Sequence, residues 1–180
     1  GPVEPVSDFV FAQEISDLPA DPAVRYGQLE NGLRFAIMQN TTPENVAAVR
    51  LVFNVGSLAE SEDQRGLAHF IEHMAFNGST NVEEGDMVSL LERTGLQFGP
   101  DTNAFTGFET VGYQLDLPEA DTETLDTALF LMRETASELT MDIEAIDRER
   151  GVILSEERFR DTPIRRWNNA LSRFRFPGTL

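Results

Sequence analysis

Two histidines one helical turn apart are the residues of this sequence best suited to chemistry. The chain contains only two histidines, His69 and His73, and Glu72 lies between them. In a helix His73 lies about 40° round from His69, and Glu72 lies about 60° to the other side. Two neutral imidazoles on one face can bind a single zinc ion, and the flanking carboxylate can act as a base beside it. The order His-x-x-Glu-His is the inverted zinc-peptidase motif. The alternative is an ordinary solvent-facing helix.

A catalytic zinc site needs a third protein ligand in addition to the two histidines. The chain has no cysteine, so this ligand must be a carboxylate. Because the sequence contains thirty-one acidic residues, spacing alone does not choose among them.

The helix that carries the motif is predicted to span Gly66–Asn77. Gly78 follows it, and glycine is the residue typical of a left-handed helix cap. On the side away from the histidines, apolar residues recur at helical spacing and are predicted to bury against a sheet. These residues are Leu67, Phe70, Ile71 and Met74.

The other elements predict an α+β fold. Val24–Leu29 and Leu33–Gln39 flank Asn31-Gly32, which is a strong hairpin signal. Strands are also predicted at Val46–Val55 and Glu109–Leu117. No regular βαβ alternation occurs, which favours a mainly antiparallel sheet packed by helices. The further helices are predicted at Asp86–Thr94, Asp121–Leu139, Asp142–Arg160 and Ile164–Arg175.

The net charge of −17 is unevenly distributed. Residues 158–180 contain six arginines and one acid, a net charge of +5, which leaves −22 on residues 1–157. An acidic body repels nucleic-acid phosphates and favours basic peptides, although it is equally typical of a solvated surface. No apolar run approaches the roughly eighteen residues of a membrane span, so neither a nucleic-acid partner nor membrane insertion is expected.

The chain is predicted to begin with an extended arm over residues 1–22, because Pro, Asp, Ser and Glu occur there without periodicity. Gly1-Pro2 is typical of the residue pair that remains after removal of a purification tag. Residues 23–180 are predicted to form the zinc-binding domain, ending before the rest of a longer protein.

The run from Gly66 to Gly78, GLAHFIEHMAFNG, resembles the active-site helix of the pitrilysin family of metallopeptidases. The resemblance covers nearly all of the chain after the arm. It continues through the run from Gly99 to Ala104 and the run from Glu149 to Leu154. The residues in these runs are similar to those of large bacterial members of the family, which implies a periplasmic protein. The resemblance implies one half of a two-part clamshell, whose second homologous domain, in cis or as a partner subunit, supplies an Arg and a Tyr.

The same resemblance implies roles for further residues. Glu149 follows the second histidine by 76 positions within Glu149-Arg150-Gly151-Val152-Ile153, which makes it the implied third zinc ligand. Asp142 corresponds to a second acid that supports the site, and its alternative role is a helix N-cap. Asn103, Ala104 and Phe105 correspond to the edge strand that takes the peptide as an added strand. The sequence departs from the family at Val111, where a threonine is usual.

These residues predict a zinc endopeptidase that hydrolyses peptides or unfolded segments, with Glu72 as general base and Zn²⁺ as cofactor. The expected ligands are His69, His73 and Glu149. The fragment is expected to be weakly active alone. Two alternatives stay open, namely a non-catalytic assembly subunit with this fold and a metal-binding domain without hydrolytic activity.

Overall fold

The computed structural model describes residues 11–93, 95–97, 99 and 101–177. The chain divides into two units, with the boundary between Glu44 and Asn45. This boundary lies inside the predicted domain 23–180. The predicted tag remnant Gly1-Pro2 lies outside the described residues.

The first unit contains a hairpin that follows one helical turn. The turn, α1 (Ala12–Ile15), lies within the predicted arm, and the strands are β1 (Val24–Gln28) and β2 (Arg34–Met38). They pair antiparallel, and Gly32 between them has a φ of 88°. Because L side chains rarely adopt that conformation, Gly32 is the residue that lets the chain reverse there. The predicted Asn-Gly hairpin is confirmed.

The second unit is built on a three-stranded antiparallel sheet. Its strands are β3 (Ala47–Phe53), β4 (Thr102–Thr106) and β5 (Val111–Leu117), in the order β3-β5-β4. β5 is the central strand and is largely buried, because side chains pack on both of its faces. β4 pairs with β5 alone among the described strands, so its other edge is open. The mainly antiparallel α+β architecture agrees with the prediction.

The described part of this unit also contains five α-helices, several of which begin at a side-chain cap. Asp121 accepts a hydrogen bond from Thr124 N at 2.7 Å, and Thr162 accepts one from Arg165 N at 3.3 Å. A side-chain oxygen at these positions satisfies a backbone N–H that the helix itself leaves unpaired. The helices are α2 (Leu67–Met74), α3 (Asp86–Arg93), α4 (Thr122–Ser137), α5 (Ile143–Arg160) and α6 (Pro163–Arg175).

The hydrophobic core lies between the sheet and helices α2, α3 and α4. Met74 of α2 is fully buried, as predicted. Leu67 and Ile71 are not, because 45% and 39% of their surfaces are exposed. Their side of α2 faces an open apolar cavity of about 430 Å³, also lined by Phe53 and Leu139, instead of packed side chains. The predicted burial of the apolar stripe is therefore wrong for these two residues.

Each sheet places a phenylalanine directly opposite a glycine. Gly27 pairs with Phe35 in the hairpin, and Gly112 pairs with Phe105 in the larger sheet. In both cases a methyl group added to the glycine would collide with the phenylalanine ring. The ring therefore covers the glycine on the partner strand, an arrangement that compensates for the missing side chain in a strand.

One buried carboxylate connects α4 to the segment after α2. Glu134 is fully buried and accepts hydrogen bonds from Ser79 Oγ at 2.6 Å and from Asn81 N at 3.1 Å. Arg133 Nη1 lies 2.9 Å from the same carboxylate. Burial raises the pKa of Glu134, but these hydrogen bonds and the arginine charge outweigh it, so its pKa lies below the ordinary value. The ionised form is therefore the one that stabilises the fold.

We expect Glu134→Gln to lower the free energy of unfolding by about 2 kcal/mol at neutral pH, because an amide cannot accept all of these hydrogen bonds. The folded-state pKa is depressed, so the stabilisation is present above the ordinary pKa and is lost as the pH falls through the folded value. Denaturant unfolding at several pH values should show the difference shrinking below about pH 4.5. Asp126→Asn, an exposed change on the same helix beyond its first turn, is the control and should have little effect at any pH. A pH-independent difference for Glu134→Gln would contradict this interpretation.

Candidate metal centre

Helix α2 is held at its first turn by a carboxylate from the preceding loop. Glu60 Oε2 accepts from Gly66 N and Glu60 Oε1 accepts from Ala68 N, both at 2.8 Å. Gly66 has a φ of 91°, which admits the tight entry into the helix. A negative charge at this end is also favourable to the helix dipole. Glu60 therefore fixes the position from which His69, Glu72 and His73 project.

The two histidines converge as the sequence predicted. His69 Nε2 lies 3.1 Å from His73 Nε2, with the rings nearly perpendicular at 86°. Two ligands of a tetrahedral zinc ion, each about 2.1 Å from the metal, are separated by about 3.4 Å. The pair is thus spaced to share one ion.

Glu156 is the carboxylate that faces these two nitrogens. Its Oε2 lies 3.6 Å from His69 Nε2 and its Oε1 lies 3.7 Å from His73 Nε2. Together the three side chains form a group that could hold a metal ion. Glu156 Oε2 is buried and makes no hydrogen bond with a described residue, although Arg160 Nη2 lies 3.1 Å away as an ion pair. A buried oxygen without a hydrogen bond fits a cation site.

Glu149, the expected third ligand, lies on the other side of His73. Its Oε1 is 2.7 Å from His73 Nδ1, and its Oε2 accepts from Asn77 Nδ2 at 3.2 Å. A carboxylate at this position accepts a hydrogen bond from Nδ1–H, which keeps the proton on Nδ1 and leaves the Nε2 lone pair free to bind a metal. The geometry therefore favours Glu156 over Glu149 as the ligand and gives Glu149 the role of orienting His73.

Sequence reasoning missed Glu156, although a signal for it was present. Glu156 follows Glu149 by seven residues, so both project from the same face of α5. A spacing of 76 from the second histidine selected the first acid of this pair. The second acid, two turns further along, is the one that reaches the Nε2 atoms.

The surroundings of His69 favour its neutral imidazole, the form that binds metals. Burial lowers the pKa of His69, and the neighbouring His73 and Arg160 lower it further. The charges of Glu72 and Glu156 oppose these effects but do not cancel them. Two imidazoles this close do not readily carry two positive charges.

Glu72 lies beside the pair and is partly buried. Its Oε2 accepts a 2.5 Å hydrogen bond from Thr106 Oγ1 at the end of β4. Burial raises the pKa of Tyr113, and the charge of Glu72 raises it further, which places the carboxylate near this phenol. Glu72 therefore lies between the two histidines and the end of β4, where a general base is expected.

The other predicted residues lie as follows. Asn103, Ala104 and Phe105 all lie on the edge strand β4, and Phe105 is 41% exposed. Asp142 is the N-cap of α5, with Oδ1 accepting from Glu144 N at 2.9 Å and Ala145 N at 3.1 Å. Among the described residues, neither histidine bonds with its carboxylate, so the capping role accounts for Asp142.

Residues 35–165 match insulinase, peptidase family M16, and the chain belongs to this family. A probable zinc protease, PqqL, of Haemophilus influenzae is 39% identical over 164 residues, which are 91% of this chain and 18% of that protein. A PQQL-like zinc protease of Arabidopsis thaliana is 40% identical over 133 residues, or 74% of this chain and 14% of that protein. The chain thus spans less than a fifth of these relatives.

The fold matches that of the first half of the periplasmic protease PqqL from Escherichia coli. The TM-score is 0.79 at 34% sequence identity, and the match covers 87% of this chain and 33% of that one. The mixed helices and antiparallel sheet therefore match part of the first half of the family M16 clamshell. No helix in the described part of the chain is both long and apolar enough to cross a membrane.

Proposed function

We propose that this chain is the zinc-binding half of an endopeptidase that hydrolyses peptides or unfolded segments. The observation that carries the proposal is the convergence of His69 Nε2, His73 Nε2 and the Glu156 carboxylate beside Glu72. Relatives named zinc proteases support zinc as the metal. Zinc bound there would polarise the peptide carbonyl and lower the pKa of a nearby water molecule.

The side chains of this chain have separate roles in the proposed reaction. His69, His73 and Glu156 hold the metal, and Glu149 keeps His73 in the tautomer that binds it. Glu72 accepts the proton of the attacking water and delivers it to the leaving amine. The open edge of β4, at Asn103, Ala104 and Phe105, takes the peptide as an added strand. The acidic body favours basic peptides.

The proposed enzyme is completed by a second homologous domain, in cis or as a partner subunit, and works in the bacterial periplasm. Support comes from the similar fold of the first half of PqqL, a periplasmic protease of which this chain matches only part. The resemblance to the family assigns the oxyanion donors, an Arg and a Tyr, to that second domain. A second domain that closes over the peptide would supply such donors and exclude water.

We expect the chain alone to be a folded but poor peptidase that gains activity when the second half is supplied. A positioned oxyanion donor contributes about 3 kcal/mol, so its absence costs roughly a hundredfold in rate. Steady-state cleavage of one basic unstructured peptide should be compared for the chain, the longer protein and the two halves mixed. Chelator treatment and zinc replacement provide the control in each case. Equal efficiency of the chain and the longer protein would show that the second half is dispensable.

A further inference from the structure

We propose that Thr106 is a positioning residue that sets Glu72 in register with the peptide on β4. This inference rests on the proposed function, because it concerns the same base and the same strand. The Thr106 hydroxyl donates to Glu72 Oε2 at 2.5 Å, and no other described residue donates to that carboxylate. The orientation of Glu72 therefore depends on where β4 ends.

The end of β4 is held by two neighbouring segments, β5 and the segment around Ser57. Thr106 pairs with Val111 of β5, and Gly107 N donates to Thr110 O at 2.7 Å, which closes the turn between the strands. Ser57 N in turn donates to Gly107 O at 3.1 Å. A side chain at Gly56 would collide with the backbone of this turn, so the two segments lie in direct contact.

The segment that contacts this turn also carries the cap of the active-site helix. Ser57 is three residues before Glu60, which holds the first turn of α2 at Gly66 and Ala68. A chain of contacts therefore runs from the start of α2 to Glu60, along the loop to Ser57, and across to the turn at Gly107. The hydrogen bond from Thr106 to Glu72 returns it to α2. These contacts join the first turn of α2 to the turn after β4, so the hydroxyl and the carboxylate belong to segments that are held together.

Thr106 links two functions that β4 would otherwise perform separately. The open edge of the strand takes the peptide backbone, whereas one of its faces carries Thr106 towards α2. A peptide that pairs along this edge takes its register from the backbone of β4, and the same strand positions Glu72 through Thr106. The hydroxyl leaves Glu72 Oε1 without a described hydrogen-bond donor, and this oxygen is the one available to the attacking water.

The test compares Thr106→Val, Thr106→Ser and a matched control in the longer protein. Thr102→Val is the control, since Thr102 lies on the same strand and face and its buried hydroxyl bonds with no described residue. We expect Thr106→Val to lower kcat about tenfold with KM and zinc affinity nearly unchanged, because one charge-assisted hydrogen bond is lost. Thr106→Ser should restore most of kcat, and Thr102→Val should leave it unchanged.

A Glu72→Gln background separates the possible failures. In that background Thr106→Val should cause no further loss of kcat, because the hydroxyl acts through Glu72. If Thr106→Val keeps the original kcat while Glu72→Gln is inactive, this inference is overturned and the proposed function stands. If Glu72→Gln keeps its turnover, Glu72 is not the general base and the proposed function is itself contradicted. An equal loss in Thr106→Ser and Thr106→Val would also overturn the inference, since the hydroxyl would then not be the cause.

Discussion

Replacing Glu72 by glutamine is expected to lower peptide hydrolysis by at least about a hundredfold while zinc stays bound. Glutamine keeps the shape of the side chain but cannot accept a proton from water, and general-base catalysis contributes roughly a hundredfold to ten-thousandfold. Glu72 lies outside the group of His69, His73 and Glu156, so metal affinity should change little. The measurement is kcat/KM on an unstructured peptide, together with zinc content after dialysis.

Glu92→Gln is the matched control for this change, because Glu92 is an exposed glutamate on α3. It should retain both zinc and activity. The experiment also separates the three functions considered for the sequence. A metal-binding domain without hydrolytic activity would not need Glu72, and a non-catalytic assembly subunit would show no turnover to lose. Near-normal turnover of Glu72→Gln would exclude this residue as the base.

Removing a zinc ligand is expected to have the second large effect, and it distinguishes Glu156 from Glu149. If the roughly 10 to 16 kcal/mol of a protein zinc site is shared among its ligands, each contributes about 3 to 5 kcal/mol. His73→Ala and Glu156→Ala should therefore weaken zinc binding on the order of a thousandfold. Glu149→Ala removes only a residue that orients His73, and should weaken binding roughly tenfold. Competition with a chromophoric chelator measures these dissociation constants.

The control for the two acidic variants is Glu157→Ala, next to Glu156 on α5. Glu157 is largely exposed and pairs with Arg165 on the surface, so its loss should not affect zinc. The ranking of the two acids decides the assignment. A larger loss in Glu149→Ala than in Glu156→Ala would restore Glu149 as the ligand and place Glu156 outside the coordination sphere.

Local sequence signals predicted most of the fold. The hairpin around Asn31-Gly32 and the helices that begin after Asp121 and Asp142 depend on turn and capping residues that act over a few positions. The convergence of His69 and His73 was equally predictable, because a single helix fixes their relative direction. Such features need no knowledge of distant contacts.

The features that sequence reasoning missed all depend on contacts between distant segments. Glu156 and Glu149 lie on one face of α5, and only the distance to His73 tells them apart. Glu134 was not singled out from the sequence, because Ser79 and Asn81, which donate to it, lie more than fifty residues away in the chain. The exposure of Ile71 likewise follows from a cavity between elements, which helical spacing does not reveal.

The phenylalanine that covers a glycine on the partner strand constrains how these sheets can evolve. A side chain at position 112 would occupy the volume of the Phe105 ring, so neither position can change freely while the other is kept. Among homologues, a larger residue at position 112 should coincide with a smaller or differently directed residue at position 105. The pair Gly27 and Phe35 should covary in the same way. Phe105 lies on the proposed peptide-binding strand. A substitution at the buried Gly112 would therefore alter the surface that a bound peptide contacts.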